Sequence, residues 1–324
     1  MRFLLYAILA VAAGEVLATN SATADVYPSK PITLLITGTA GGPPDIVGRW
    51  IADKLSPALG QPVVVVNRPG AGGNLAMRAA ATSAPDGYTL VIAGQGPFAL
   101  NPHMYDNPGY DALTDFAPIT QIEGGPLIIA IHPGVPAKSV SDLMKLARAN
   151  PGKLNYGSPG TGTPPHMASE LFRQRAGIDV VRIPYPGPPA AMIDLIGGRL
   201  TYTFGAINVQ LPQIKTGKIK ALAVTSLRRT DAAPDIPTMA ESGLAGFDYS
   251  GWLGIAAPKG TPKENVARLH TELGKVLKTP ETRAHFAAQG REVSATSPDE
   301  FAAHIRAEYA LWGPVIRKAG IKAE

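Results

Sequence analysis

Short apolar runs alternate with amphipathic segments along most of this chain. Residues 32–36 form the first apolar run, and residues 46–59 follow with a spacing that places apolar side chains on one face of a helix. That predicted face consists of Ile46, Val47, Trp50, Ile51 and Leu55. Further strand-length runs occur at residues 63–66, 88–92, 116–122, 127–131, 154–157, 180–185, 200–204, 219–225 and 252–256. Strands that alternate with helices at this spacing predict an α/β fold with mainly parallel sheets.

The pattern becomes helical after the last of these runs. Two or three helices are predicted from there to the end of the chain. Residues 230–247 are rich in loop-forming residues and are a candidate linker. The length of the chain is enough for two domains.

Two glycine-rich turns lie where predicted strands end and predicted helices begin. The first covers residues 38–45 and the second covers residues 160–166. In both turns, prolines can occupy the first helical turn, and backbone N–H groups at the positive end of the helix dipole attract anions. Because ligands of parallel sheets lie beyond the carboxyl ends of the strands, the pair predicts one anionic ligand held from two sides. Each turn alone is equally well explained as a simple strand-to-helix connection.

Asp45 and His166 are the ionisable side chains of these two turns. A carboxylate in the first turn of a helix caps free N–H groups and is favoured by the dipole, so capping is one interpretation of Asp45. The other is that Asp45 holds a hydroxyl, an amine or a water molecule of the ligand. His166 either packs against the helix start or contacts the ligand.

The composition excludes several classes of function. The chain has no cysteine, and its six histidines form no His-x-x-x-His pair, so we expect neither a metal nor another cofactor. Motifs for a serine nucleophile elbow, a phosphate-binding loop and a dinucleotide-binding turn are absent from the sequence. The net charge of +5 is scattered, with Arg228 and Arg229 as the longest cationic group, so we expect no nucleic-acid partner.

The first residues are typical of a secretion signal. Arg2 precedes an apolar core at residues 3–13, and Ala22-Thr23-Ala24 then precedes Asp25. The apolar core is too short to span a membrane. We therefore expect a signal peptide at residues 1–24, cleavage after Ala24 and export to a bacterial periplasm, where a large core makes disulfides unnecessary.

An ordered set of motifs across nearly the whole mature chain resembles the Bug-type substrate-binding proteins of tripartite tricarboxylate transporters. These motifs are YPSKPI (27–32), GGPPD (41–45), GQPVVVVNRPGAGGN (60–74), APDGYTL (84–90), YGSPGTGTPPH (156–166), DLIGG (194–198), ALAVT (221–225) and PTMAESG (237–243). The resemblance implies a two-lobed, type II periplasmic-binding-protein (flytrap) fold. Its expected division is residues 25–126 in lobe 1, residues 127–250 in lobe 2 and residues 251–324 again in lobe 1.

The resemblance also implies a function and a site. Such proteins bind a small organic mono-, di- or tricarboxylate between the lobes, largely through backbone amides and ordered waters, and deliver it to integral membrane transporter subunits. The implied contacts from lobe 1 are Ala40, Gly41, Gly42 and Asp45, with Gln95 and Gly96 nearby. Those from lobe 2 are Ser158, Thr161, Gly162, Thr163 and His166. We expect a monomer that is not an enzyme.

Three positions depart from the family pattern. Ala40 stands where the family usually has a proline, and Gly38 stands where it often has a bulky aromatic residue, so we expect a roomier pocket. Pro186 replaces the usual lysine of a Tyr-Lys-Gly motif, so a cation of lobe 2 is missing.

Two other functions are open at this point. One is a periplasmic sensor of a carboxylate. The other is a hydrolase of carboxylate esters that uses Ser158 or Thr163 with His166 and Asp45, although the chain lacks a recognisable nucleophile turn.

Overall fold

The computed structural model describes residues 27–158 and 160–323. The expected signal peptide lies outside the described residues. The strands are β1 Ile32–Ile36, β2 Val63–Asn67, β3 Thr89–Gly94, β4 Phe116–Ile131, β5 Asn155–Ser158, β6 Val181–Pro184, β7 Tyr202–Ala206, β8 Lys220–Val224, β9 Ser250–Pro258 and β10 Glu292–Val293. The helices are α1 Pro43–Leu59, α2 Asn74–Ala81, α3 Asn101–Met104, α4 Val140–Ala149, α5 Pro164–Ala176, α6 Pro188–Ile196, α7 Ile207–Lys215, α8 Lys263–Lys278, α9 Pro280–Ala287 and α10 Pro298–Ala319. A 3-10 turn at Ala71–Gly73 and a π-helical turn at Gly96–Leu100 complete them.

Helix α1 follows the predicted pattern with one difference. Val47, Ile51 and Leu55 are buried as predicted, and Gly60 ends the helix in the left-handed region with φ of 69°. Ile46, however, is 43% exposed. Trp50 is only half-buried: it packs at the margin of the core, and its ring stacks on that of His285 with 3.7 Å between the ring centroids. The buried face of the helix is therefore narrower than predicted.

The strands fall into two groups joined by β4. In the first, β1 lies between β2 and β3 and is parallel to both, while β9 is antiparallel to β3 and to β4. In the second, β5 is parallel to β6 and β7, while β4 is antiparallel to β7 and β8. We call the halves built on these groups lobe 1 and lobe 2. Each sheet is thus mixed, and the expectation of mainly parallel sheets holds only away from β4 and β9.

Strand β4 corrects another expectation. The sequence predicted two strands, at residues 116–122 and 127–131. The structure has one continuous strand, since the intervening Gly124, Gly125 and Pro126 pair with the start of β9 at residues 250–252. Beyond them, Leu127 pairs with Ala206 of β7, so β4 passes directly from one lobe to the other.

Helix α10 also contacts both lobes. Its Phe301 and Ile305 pack among lobe 1 side chains, whereas Trp312 and Ile316 pack among those of lobe 2. The three helices α8, α9 and α10 confirm the helical pattern predicted after the last strand. Among the described residues, no helix combines the length and the apolar character needed to cross a membrane.

Candidate ligand-binding site

A cleft of ≈ 520 Å³ lies between the two lobes. It is lined by residues at the starts of five helical segments: Pro43 and Pro44 of α1, Gly96 and Pro97 of the π-helical turn, Pro164 and Pro165 of α5, Pro188 of α6, and Asn208 and Val209 of α7. These segments begin there because each follows a strand whose carboxyl end points to the cleft. The positive ends of their dipoles therefore converge on the cleft and favour an anionic ligand.

The charged side chains that line this cleft, within the described part of the chain, are Glu123 and Arg291. They are paired with each other: the Nη2 atom of Arg291 donates to a Glu123 oxygen at 2.6 Å, and its Nε donates to the other oxygen. Arg291 also donates to the carbonyl oxygen of Gly251 at 3.3 Å. No unpaired cation is thus available among these lining residues.

The turn of lobe 1 is closed by Asp45. Its carboxylate accepts hydrogen bonds from Gly41 N–H at 2.8 Å, Arg49 Nε at 3.0 Å and Asn67 Nδ2 at 2.9 Å. Although burial opposes ionisation, the hydrogen bond from Arg49 and those from Gly41 and Asn67 lower the pKa of Asp45 to about 2. The carboxylate is therefore ionised, paired and engaged in capping its own turn.

The turn of lobe 2 repeats this geometry with a different side chain. Gly162 N–H donates to Nδ1 of His166 at 3.1 Å, so in both turns a glycine N–H is bound by the side chain four residues later. Gly41 and Gly162 have φ of 76° and 72°, a left-handed conformation that glycine adopts readily. Burial, together with the neighbouring Arg182, lowers the pKa of His166 to about 4. The ring is therefore neutral at pH 7, with its proton on Nε2.

These contacts occupy some of the N–H groups that were expected to be free at each turn. The N–H groups of Gly41 and Gly162 are bound by Asp45 and His166, and Gly42 N–H donates to the carbonyl oxygen of Thr39 at 3.0 Å. The prolines that follow have no N–H to offer. In this conformation Gly41, Gly42 and Gly162 therefore do not offer their N–H groups to a ligand.

The comparisons with known proteins identify the fold and the family. The family described as the tripartite tricarboxylate transporter family receptor matches residues 47–321. This chain belongs to that family. The receptor is 34% identical over 301 residues to Protein BugT of Bordetella pertussis, with 93% of this chain and 92% of BugT covered.

Solved structures of two Rhodopseudomonas palustris proteins resemble the receptor over most of its length. One, with adipate, is 35% identical with a TM-score of 0.76, and the match covers 91% of this chain and 99% of that chain. The other, with bound malate, is 28% identical with a TM-score of 0.73, and the match covers 90% of this chain and 100% of that chain. The receptor thus has the two-lobed flytrap fold of a Bug-type periplasmic binding protein, as the resemblance implied.

The binding residues implied by the resemblance fall into three groups according to the pocket that they line. Gln95, Gly96 and Gly162 line the cleft. Thr161 and His166 line a second, smaller pocket of ≈ 350 Å³ together with Arg182 and residues 319–322. The remaining ones, Ala40, Gly41, Gly42, Asp45, Ser158 and Thr163, line neither pocket.

Gln95 is held by both ends of its amide. Tyr249 Oη donates to Oε1 at 2.8 Å, and Nε2 donates to Glu308 at 2.6 Å. The same carboxylate accepts the indole N–H groups of Trp252 and Trp312, at 3.3 Å and 3.1 Å. The side chain of Gln95, directly after β3, therefore belongs to a network with β9 and α10. Gly96 beside it faces open space, since a Cβ added there would have no atom within 4 Å.

Ser158, Thr163 and His166 do not form a nucleophile and base. Both hydroxyls donate to the carbonyl oxygen of Gly160, at 3.2 Å for Ser158 and 2.9 Å for Thr163, while His166 accepts from Gly162. Asp45, the proposed acid, is bound to Arg49 in lobe 1. The arrangement that the hydrolase alternative requires is not assembled among these residues.

Helix α7 is the part of the site that sequence reasoning missed. It brings Asn208, Val209 and Gln210 to the cleft wall in lobe 2. Gln210 is 1% exposed, and its Nε2 donates to Thr203 Oγ1 of β7 at 3.2 Å. The first turn of α7 has no proline to mark a helix start, and Pro212 inside the helix is typical of a break.

Proposed function

We propose that this receptor captures a small organic carboxylate between its two lobes in the periplasm and delivers it to the integral membrane subunits of a tripartite tricarboxylate-type transporter. The observation that carries the proposal is the convergence of five helix starts on a cleft whose charged lining residues are paired with each other. The helix dipoles at such a cleft favour a negatively charged ligand, while no unpaired cation among the described lining residues restricts the ligand to one geometry. The adipate and malate bound by two related structures support the same ligand class.

The division into lobes is part of this proposal. We place residues 25–126 and 251–324 in lobe 1 and residues 127–250 in lobe 2. The change of partners along β4 supports this, since Pro126 pairs with Ser250 of β9 and Leu127 pairs with Ala206 of β7. A ligand bridging helix starts of both lobes would draw them together, with β4 and the residues before β9 as the flexible connections.

We further propose that the chain acts as a monomer after removal of residues 1–24 and performs no chemistry on its ligand. A sensor would use the same cleft, and the presence or absence of neighbouring membrane-transporter genes would distinguish the two roles. No contact among the described residues favours the hydrolase.

The test is a thermal-shift and calorimetric screen with hexanoate, malate, adipate and citrate. A ligand at 100 times its dissociation constant should raise the free energy of unfolding by about 2.7 kcal/mol. We expect at least one acid to do so, and 1,6-hexanediol, the neutral counterpart of adipate, to have no effect. The proposal would be contradicted if hexanediol stabilised the protein as much as adipate does. It would also be contradicted if none of the four acids stabilised it.

A further inference from the structure

Gln210 has one polar atom without a partner. Its side chain lines the cleft and is 1% exposed, and Thr203 Oγ1 is the partner of its Nε2. Its Oε1 is buried and accepts no hydrogen bond from the described residues. A buried amide oxygen without a hydrogen bond destabilises the protein unless a ligand in the cleft changes its surroundings.

The orientation of the Gln210 amide depends on its hydrogen bond with Thr203 and on the charge of any ligand in the cleft. The Thr203 hydroxyl can accept a hydrogen bond from Nε2 or donate one to Oε1, so turning the amide over exchanges the unpaired acceptor for an unpaired donor. With an anion in the cleft, the second orientation is favoured, because Thr203 then satisfies Oε1 and an N–H of Gln210 points to negative charge. The pair can therefore adapt to a carboxylate without moving the backbone.

The start of α7 supplies donors that the other helices of the cleft lack. Helices α1, α5 and α6 each have proline in their first two positions, whereas α7 begins with Ile207, Asn208 and Val209. The N–H groups of a first turn have no partner within the helix, and no side chain caps those of α7. Asn208 and Val209 line the cleft.

We infer that Gln210 and the first turn of α7 bind a carboxylate group of the ligand from lobe 2. This rests on the proposed function, and it places the main donors of lobe 2 at α7 rather than at the turn before α5. The carboxylate accepts hydrogen bonds from the α7 backbone and from the amide of Gln210, which Thr203 holds in position. Gly205 belongs to the same arrangement, since a Cβ there would overlap Nε2 of Gln210.

The experiment measures the affinity of three variants for the acid of the four-member panel that stabilises the parent chain most. Gln210→Leu removes one charge-assisted hydrogen bond and should weaken binding roughly 10- to 100-fold. Gln210→Glu keeps the shape but faces the ligand with a like charge, and should weaken binding more than about 100-fold. Gly205→Ala leaves Gln210 in place but displaces its amide, and should resemble Gln210→Leu.

Gln213→Glu is the matched control. It makes the same change of charge on the same helix, at a half-buried side chain that does not line the cleft, and should alter affinity less than about threefold. Melting temperatures without ligand identify any variant that fails to fold. If the Gln210 variants do not fold, the affinity of Gly205→Ala tests the inference. If the parent binds an acid and all folded variants bind it equally well, this inference is overturned and the proposed function stands. If the parent binds none of the acids, the proposed function fails as well.

Discussion

Replacing Gly96 with aspartate should weaken carboxylate binding by more than about 100-fold without unfolding the receptor. Gly96 lines the cleft, its φ is outside the left-handed region, and an added Cβ has no neighbour within 4 Å. Two negative charges about 5 Å apart near a protein surface repel by about 3 kcal/mol, which accounts for the loss of affinity. A carboxylate at the start of a helical segment is itself favoured, so stability should be unchanged or slightly higher. Calorimetric titration and thermal unfolding measure the two effects separately.

Gly96→Asn is the control for this substitution, because it adds nearly the same atoms without the charge. It should weaken binding far less than the aspartate does. Equal affinities for the two variants would mean that charge at this position is irrelevant, and the ligand would then not be an anion bound at this part of the cleft.

Replacing Arg291 with methionine should lower the free energy of unfolding by about 3 kcal/mol. The substitution leaves Glu123, which is 1% exposed, as a buried carboxylate without its cation. Removing one partner of a buried pair costs about 3 to 5 kcal/mol, and we expect the lower value because the Arg291 side chain is 27% exposed. Chemical denaturation of the ligand-free protein measures the change.

Two further variants separate pairing from general damage. Adding Glu123→Leu to Arg291→Met removes the orphaned charge and should restore most of the lost stability. Lys54→Met breaks an exposed pair with Glu281 at 3.0 Å and should cost less than about 1 kcal/mol. If Arg291→Met lowers the free energy of unfolding no more than Lys54→Met does, the Glu123–Arg291 pair does not stabilise the fold.

The sequence predicted best those elements whose residues have strong local conformational preferences. Glycine and proline at residues 38–45 and 160–166 identified two strand-to-helix turns, and both exist. Gly124, Gly125 and Pro126 have a local preference for a turn, but their pairing with β9 keeps β4 continuous where two strands were predicted. Helix α7 was missed because its first turn lacks proline and Pro212 interrupts its helical pattern. Local patterns thus indicate where a turn is favoured, but they do not show whether pairing with a strand distant in sequence overrides that preference.

The charges of the site could not be predicted for a related reason. Glu123 and Arg291 are far apart in the chain and meet only because β4 and the segment before β10 lie together. The bonds from Gly41 to Asp45 and from Gly162 to His166 are local, but they depend on the rotamers of the two side chains. The sequence places a carboxylate and an imidazole in the turns, and the structure shows that each binds the backbone of its own turn.

A crystal structure of the receptor with the best-binding acid of the panel tests the central claim most directly. We predict that the acid lies between the lobes, with a carboxylate within hydrogen-bond distance of the first turn of α7 and the rest of the ligand against the starts of the opposing helices. Electron density for the acid in the second pocket, beside Arg182 and residues 319–322, would contradict the assignment of the cleft as the binding site.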